Sequence, residues 1–148
     1  MLYLLFHAKN ESYAVDAREV IEIVPRVKLR TLPKAPEYVA GLLNYRGESV
    51  PVLDLCVLLH GQSCAVVFGS RMILMKYPDA SGAMRVLGLL AEQVTETLQC
   101  KAEEFRPSPL AQSSAPYLRE VITYHDHLVQ RVDIHALLST EVQALLFQ

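Results

Sequence analysis

The sequence predicts an all-β protein in which two small barrels pack side by side. Short apolar runs with period-2 alternation recur along the chain, and helical periodicity is confined to short stretches. Residues 38–59 also align without a gap on residues 117–138. Six of these 22 positions are identical, where ordinary residue frequencies give roughly one or two. A duplicated hairpin therefore predicts two similar halves.

The strands follow from this alternation, and residues 37–43 fit either a strand or a short helical turn. The predicted strands cover residues 2–7, 13–17, 20–24, 26–30, 49–53, 65–68, 71–77, 84–90, 94–98, 117–124 and 128–132. A Pro/Ser-rich loop is expected at residues 107–116.

The predicted helical stretches are short, and an aspartate begins two of them. Asp54 is placed to cap a helix that ends before Gly61, and Asp133 to cap a turn over the following residues. We therefore interpret Asp54 and Asp133 as structural caps. A last helix is expected at residues 139–148.

We expect one domain over residues 1–148, divided into two barrels. The first barrel would cover about residues 13–65. The second would cover about residues 66–138, to which residues 1–9 could be added.

Composition favours a cytoplasmic protein. The net charge of −2 argues against nucleic acid as a partner, and residues 1–6 form an apolar stretch too short to insert into a membrane. The three cysteines show no C-x-x-C spacing, so free thiols in a reducing compartment are expected.

No catalytic or cofactor-binding pattern is present. The sequence contains neither a phosphate-binding glycine loop nor a nucleophile elbow, and we predict no enzyme, no catalytic residue and no cofactor. His125 and His127 flank a turn without a third ligand nearby in sequence, so a solvated turn is favoured over a metal site.

Two features leave alternatives open. Residues 26–30 alternate basic with apolar side chains, which fits a protected sheet edge or a surface for an acidic partner. The two copies of the repeat differ at Gly41, Arg46 and Gly47. Arg46 could bind a carboxylate of a partner, or it could simply be exposed in a turn that Gly47 permits.

Residues 33–55 carry the spacing P-x-x-P-x-Y-V-x-G-x-x-N-x-R-G-x-x-V-P-V-x-D-L. This run resembles the signature of the CheW-type chemotaxis coupling proteins. Residues 13–23, 88–94 and 117–138 are similar to further parts of that family's pattern.

The resemblance implies two five-stranded β-barrels and a non-catalytic adaptor. Such an adaptor links the cytoplasmic tip of methyl-accepting chemoreceptors to the regulatory domain of a CheA-type histidine kinase. The receptor-binding residues that the resemblance implies are Val20, Glu22, Gly41, Arg46, Gly47 and Val94.

Four residues depart from the family pattern. Cys56 replaces a common Arg, Glu92 an Asp and Glu120 a Gly, while Arg131 interrupts an apolar strand. These departures suggest an output other than flagellar chemotaxis, such as that of a Wsp-like surface-sensing system. The alternative function is a small-ligand-sensing β-barrel module with its site in a cleft between the barrels.

Overall fold

The computed structural model describes residues 1–107 and 115–147. Residues 108–114 of the predicted loop and the last residue of the predicted terminal helix lie outside this part of the chain. Within it, the strands are β1 Leu2–Ala8, β2 Glu11–Asp16, β3 Val20–Pro25, β4 Val39–Tyr45, β5 Glu48–Asp54, β6 Arg71–Pro78, β7 Met84–Ala91, β8 Gln93–Gln99, β9 Leu118–Tyr124 and β10 His127–Val132. The α-helices are α1 Leu55–His60 and α2 Thr140–Leu146, and short 3₁₀ turns occupy Ala17–Glu19, Ala102–Glu104 and Ile134–Ala136.

The strands form two five-stranded sheets, which confirms the predicted fold class. Sheet A has the order β8-β1-β2-β10-β9, and sheet B has the order β3-β6-β7-β5-β4. Each sheet curls so that side chains join its two edge strands. Tyr45 of β4 donates a hydrogen bond to Glu22 of β3, and Tyr124 of β9 donates one to Glu96 of β8.

The sheets divide the chain at different places from the expected barrels. Sheet B takes its strands from residues 20–91, so a boundary at residue 65 would cut through it. Strand β6 pairs with β3, and β7 runs parallel to β5. The parallel pairing joins strands that are distant in sequence, so the alternation of apolar residues within each strand could not predict it.

The duplicated stretches fold alike. We call residues 38–59 the first hairpin and residues 117–138 the second hairpin. The five residue pairs of the β9–β10 ladder recur in the β4–β5 ladder 79 positions earlier. For example, Leu118 pairs with Val132 in β9–β10, and Val39 pairs with Leu53 in β4–β5. In addition, β5 pairs in parallel with β7, and β10 pairs in parallel with β2. The two sheets therefore have the same construction.

Apolar side chains from both sheets share the larger core. Phe6 and Val15 of sheet A are fully buried in one cluster with Leu53 and Leu74 of sheet B. A smaller cluster, which includes Leu5, lies within sheet A. Because the larger cluster crosses between the sheets, burial of apolar area holds them side by side.

Two predicted strands are wrong. Residues 65–68 lie in a loop that pairs with no strand in the described part of the chain, and Val66 and Phe68 are largely exposed. Residues 26–30 pass beside β4 and make only an isolated bridge from Arg30 to Leu42. In both places apolar residues suggested strands, but no backbone among residues 1–107 and 115–147 completes a longer ladder beside them.

Candidate functional site

The edge strands of sheet B meet at a cluster formed by Glu22, Tyr45 and Arg46, which we call the seam cluster. The Tyr45 hydroxyl donates a 2.5 Å hydrogen bond to Oε1 of Glu22. Nη2 of Arg46 lies 3.4 Å from the same oxygen. The Arg46 guanidinium also lies over the Tyr45 ring, 5.2 Å from its centroid. One carboxylate thus contacts both a phenol and a guanidinium.

The local sequence explains how these side chains meet. Arg46 (φ 51°) and Gly47 (φ 82°) are the central residues of the two-residue turn between β4 and β5. Two consecutive positive φ values are typical of the hairpin turn that matches strand twist. The turn therefore presents Arg46 at the end of β4, beside Tyr45.

Strand β3 supplies the other side of the cluster. Its residues alternate in exposure, so Val20 and Glu22 are half-buried while Ile21 and Ile23 are each 41% exposed. The exposed pair places an apolar surface on the edge strand that carries Glu22. Sequence reasoning missed Ile21 and Ile23, although alternation along β3 was the signal that could have found them.

The electrostatics leave Arg46 available to a partner. The hydrogen bond to Glu22 raises the pKa of the Tyr45 hydroxyl, so Tyr45 remains a donor to this carboxylate at neutral pH. The Arg46 side chain is 78% exposed, and exposed ion pairs contribute little to stability. Exchange of Glu22 for a carboxylate of a partner would therefore cost Arg46 little.

Gly41 has an architectural position. It is buried, has a φ of 148°, and lies against the Leu29 side chain and the Arg30 backbone. A Cβ at this position would collide with the carbonyl oxygen of Arg30. Arg30 and Leu42 exchange two backbone hydrogen bonds of 2.9 and 2.8 Å, which fix that crossing. Gly41 thus supports the site without offering a side chain to it.

The remaining predicted receptor-binding residues lie on two different sheets. Val20 pairs with Met75 in sheet B, whereas Val94 pairs with Phe6 in sheet A. Both valines are half-buried against the larger core. The structure therefore brings Glu22, Arg46 and Gly47 together and places Val94 on the edge strand of the other sheet.

Sheet A repeats the seam without the cation. The Tyr124 hydroxyl lies 3.4 Å from Oε2 of Glu96, in place of the 2.5 Å bond between Tyr45 and Glu22. His125 occupies the place of Arg46, and its ring lies 4.2 Å from the Tyr124 ring. Tyr45 and Tyr124 were visible as an identical pair in the repeat, but their contacts with glutamates were not.

The two aspartates begin the turns after the hairpins. The carboxylate of Asp54 accepts the backbone N–H groups of Cys56, Val57 and Cys64 and is buried. Asp133 accepts the N–H of His135 and pairs with Arg119 at 3.1 Å. Both aspartates cap the turn that follows their hairpin, but Asp54 accepts three backbone N–H groups and Asp133 accepts one.

The expectation of three free thiols is wrong. Cys56 and Cys64 form a disulfide, and Cys100 is free and buried. The left-handed conformation of Gly61 (φ 78°) ends α1 and reverses the chain, which returns Cys64 to the first turn of that helix. A spacing of eight residues does not reveal this reversal.

Among the described residues, the only group of three possible metal ligands is Asp54, Cys56 and Cys64. Its two sulfurs are bonded to each other, which leaves them unsuited to bind a metal in this state. His125 and His127 belong to no such group in the described part of the chain.

An open depression of about 730 Å³ lies on the sheet B side of the molecule. Residues 25–29 line one side of it and residues 66–68 another, and all of its lining residues fall between positions 25 and 90. It therefore differs from the cleft between barrels that the small-ligand alternative requires. No helix in the described ranges is long and apolar enough to cross a membrane.

Comparisons with known proteins agree with this architecture. A family model described as a CheW-like domain matches residues 2–142. The chemotaxis protein CheW of Klebsiella aerogenes is 29% identical over 97% of this chain and 84% of its own length. The chemotaxis protein CheW of Treponema pallidum is 26% identical over 95% of this chain and 84% of its own.

The crystal structure of the scaffolding protein TtCheW from Thermoanaerobacter tengcongensis has a similar fold, with a TM-score of 0.82 and 22% identity. The similarity covers 95% of this chain and 89% of that one.

Proposed function

Because the chain belongs to the family of CheW-like domains, whose members are scaffold proteins rather than enzymes, we propose that it couples chemoreceptors to a histidine kinase. Its partners would be the cytoplasmic tip of methyl-accepting receptors and the regulatory domain of a CheA-type kinase. The seam cluster carries the receptor part of this proposal, because it joins an exposed cation to an apolar strand edge.

The receptor contact centres on Arg46 and Glu22. A guanidinium with several N–H donors suits bidentate binding of a carboxylate on the receptor tip. Ile21 and Ile23 offer exposed apolar surface on the same edge strand as Glu22, and Gly47 leaves the tip of the hairpin open. Val20 would add to the contact from the strand that carries Glu22, and Val94 would add to it from the edge strand of sheet A. Gly41 would hold the backbone that positions the hairpin.

The test measures binding of a soluble fragment that contains the receptor tip. Replacement Arg46→Glu should weaken binding by about 1–3 kcal/mol, roughly 5- to 150-fold, because it removes a charged contact and adds a repulsive one. Titration calorimetry gives the affinity, and the melting temperature verifies that the fold is intact.

Two variants serve as controls. His125→Glu places the new charge at the equivalent turn position of the second hairpin, and Lys76→Glu makes the same change of net charge as Arg46→Glu at an exposed position of β6. Both should retain wild-type affinity. If Arg46→Glu binds as tightly as the wild type, Arg46 is not part of the contact. If the wild-type chain does not bind the fragment at all, the receptor is not its partner.

The coupling function requires that both partners bind at once. We expect the chain, a receptor-tip fragment and a kinase regulatory domain to migrate as one ternary complex in size-exclusion chromatography. A chain that binds either partner but never both would contradict an adaptor. An adaptor for the cytoplasmic tip of receptors would act in the cytoplasm.

The pathway would control an output other than flagellar chemotaxis, such as a surface response. The departures from the family pattern at Cys56, Glu92, Glu120 and Arg131 support this part of the proposal. A deletion strain should then swim up gradients normally and lose a surface-dependent response. Loss of swimming chemotaxis would contradict it.

A further inference from the structure

The disulfide lies at the base of an exposed loop formed by residues 61–70, which we call the tip loop. Cys56 is in the first turn of α1 and Cys64 is in the loop, with Cα atoms 5.0 Å apart and both residues buried. Beyond Cys64, the side chains of Val66 and Phe68 are 79% and 98% exposed. The covalent bond thus fastens a strongly apolar surface segment to the body of the protein.

Hydrogen bonds hold the same segment independently of the disulfide. The N–H of Cys64 lies 3.1 Å from Oδ2 of Asp54, and the N–H of Ala65 donates to Glu92 at 2.7 Å. Arg26 donates to the carbonyl oxygens of Cys64 and Ala65 at 3.3 and 3.2 Å. These hydrogen bonds reach residues 64 and 65 at the base of the loop, whereas the exposed residues 66–68 lie beyond them.

The surroundings also suit the reduced state. Sγ of Cys64 lies 3.5 Å from the carbonyl oxygen of Leu90, so a Cys64 thiol would find an acceptor in place. Cys56 is fully buried among apolar side chains, where a neutral thiol behaves as a small hydrophobe. Both residues can therefore be buried as neutral thiols when the S–S bond is reduced.

We propose that Cys56–Cys64 is a reversible redox site that controls the order of the tip loop. In reduction, a dithiol donates two electrons and two protons to the S–S bond. Cys56 and Cys64 become thiols, and the dithiol closes into its own disulfide. Reduction releases the covalent anchor of the loop and changes the wall that residues 66–68 contribute to the open depression. The fold itself remains.

The first measurement counts thiols in protein purified without reductant and then unfolded. One thiol, that of Cys100, should react before reduction, and all three should react after it. Three reactive thiols before reduction, even after treatment with a mild oxidant, would overturn the proposal. Retention of stoichiometric zinc by the reduced protein would also overturn it, because the sulfurs would then form a metal site with Asp54.

The second measurement follows the loop. Chymotrypsin should cut after Phe68 on the order of tenfold faster in reduced protein, since loop opening sets the population that is cleaved. The melting temperature should fall by roughly 5–10 °C, as expected when a short cross-linked loop is released in a chain of this size. Equal cleavage rates and melting temperatures in both states would refute loop control.

Single substitutions separate this site from the third cysteine. Cys64→Ser, whose hydroxyl can still donate to Leu90, should behave as the reduced wild type and lose its response to dithiol. Cys56→Ala, which places no hydroxyl in the apolar core, should do the same, and Cys100→Ser should keep the full response. A response that survives in Cys64→Ser would contradict the assignment. These readouts need no partner, so their outcome is independent of the coupling function proposed above.

Discussion

The first and second hairpins have the same ladder register, the same capped exit and the same backbone crossing, but they differ in the residue beside that crossing and in the contact that closes their sheets. A two-bond backbone bridge crosses each hairpin, from Arg30 to Leu42 in the first and from Arg106 to Val121 in the second. Beside this bridge the first hairpin has buried Gly41, and the second has Glu120. The same hairpin structure therefore accepts either a glycine or a glutamate at this position.

The second solution is an ion pair. Glu120 and Arg131, which both depart from the family pattern, meet with Nε 2.6 Å from Oε2. In the first hairpin the corresponding pair is Gly41 opposite Val52. The two departures thus compensate each other. Departures from a family pattern within a sheet are therefore better interpreted as cross-strand pairs than one residue at a time.

The largest expected difference between the hairpins is at Gly41. Replacement Gly41→Ala should lower the free energy of unfolding by about 3 kcal/mol, because the Cβ meets the Arg30 carbonyl and the backbone has a φ of 148°. Glu120→Ala should cost about 1 kcal/mol or less, since it removes only a partly exposed pair. Urea unfolding measures both, and equal losses would show that the crossing at Gly41 is not tighter.

The capping aspartates should differ next. Asp54→Ala leaves three backbone N–H groups without their acceptor and should cost about 2 kcal/mol. Asp133→Ala removes one such bond and an exposed ion pair and should cost about 1 kcal/mol. Urea unfolding of reduced protein tests this, so that the disulfide does not conceal the loss. A larger loss of stability in Asp133→Ala than in Asp54→Ala would contradict this ranking by the number of N–H groups that each carboxylate accepts.

The repeat explains why much of this fold could be predicted. Identical and apolar positions of the two hairpins mark inward side chains, and aspartate before a Leu-rich stretch indicates a cap, so the local framework is visible in the sequence. Strand β7 beside β5 could not be found in this way, because parallel neighbours are set by long-range packing. The Tyr45–Glu22 contact and the Cys56–Cys64 bond likewise depend on chain reversals that spacing alone does not encode.

The two seams predict a smaller difference. Tyr45→Phe removes a 2.5 Å hydrogen bond to a carboxylate and should lower the urea concentration at the midpoint of unfolding. Tyr124→Phe removes a 3.4 Å contact and should leave that midpoint close to the wild-type value. Urea unfolding compares the two variants. Equal losses would indicate that sheet A depends on its seam as much as sheet B does.

The Glu120–Arg131 pair predicts the smallest effect, and it depends on pH. The hydrogen bond from Arg131 holds the pKa of Glu120 below its ordinary value. A depressed carboxyl pKa adds stability that is present above the unfolded pKa of about 4.3 and is lost as pH falls through the folded pKa. Because the Glu120 side chain is 43% exposed, solvent screening limits the contribution to well under about 1 kcal/mol.

Urea unfolding between about pH 6 and pH 3 should therefore show a slightly shallower loss of stability in Glu120→Gln than in the wild type. The double replacement Glu120→Gly with Arg131→Val, which copies the pair of the first hairpin, should show the same shallower loss. This variant separates the charge from the geometry, because it removes the ion pair while it restores a pairing that the fold already contains. An acid response identical to that of the wild type in both variants would show that the pair does not sense pH.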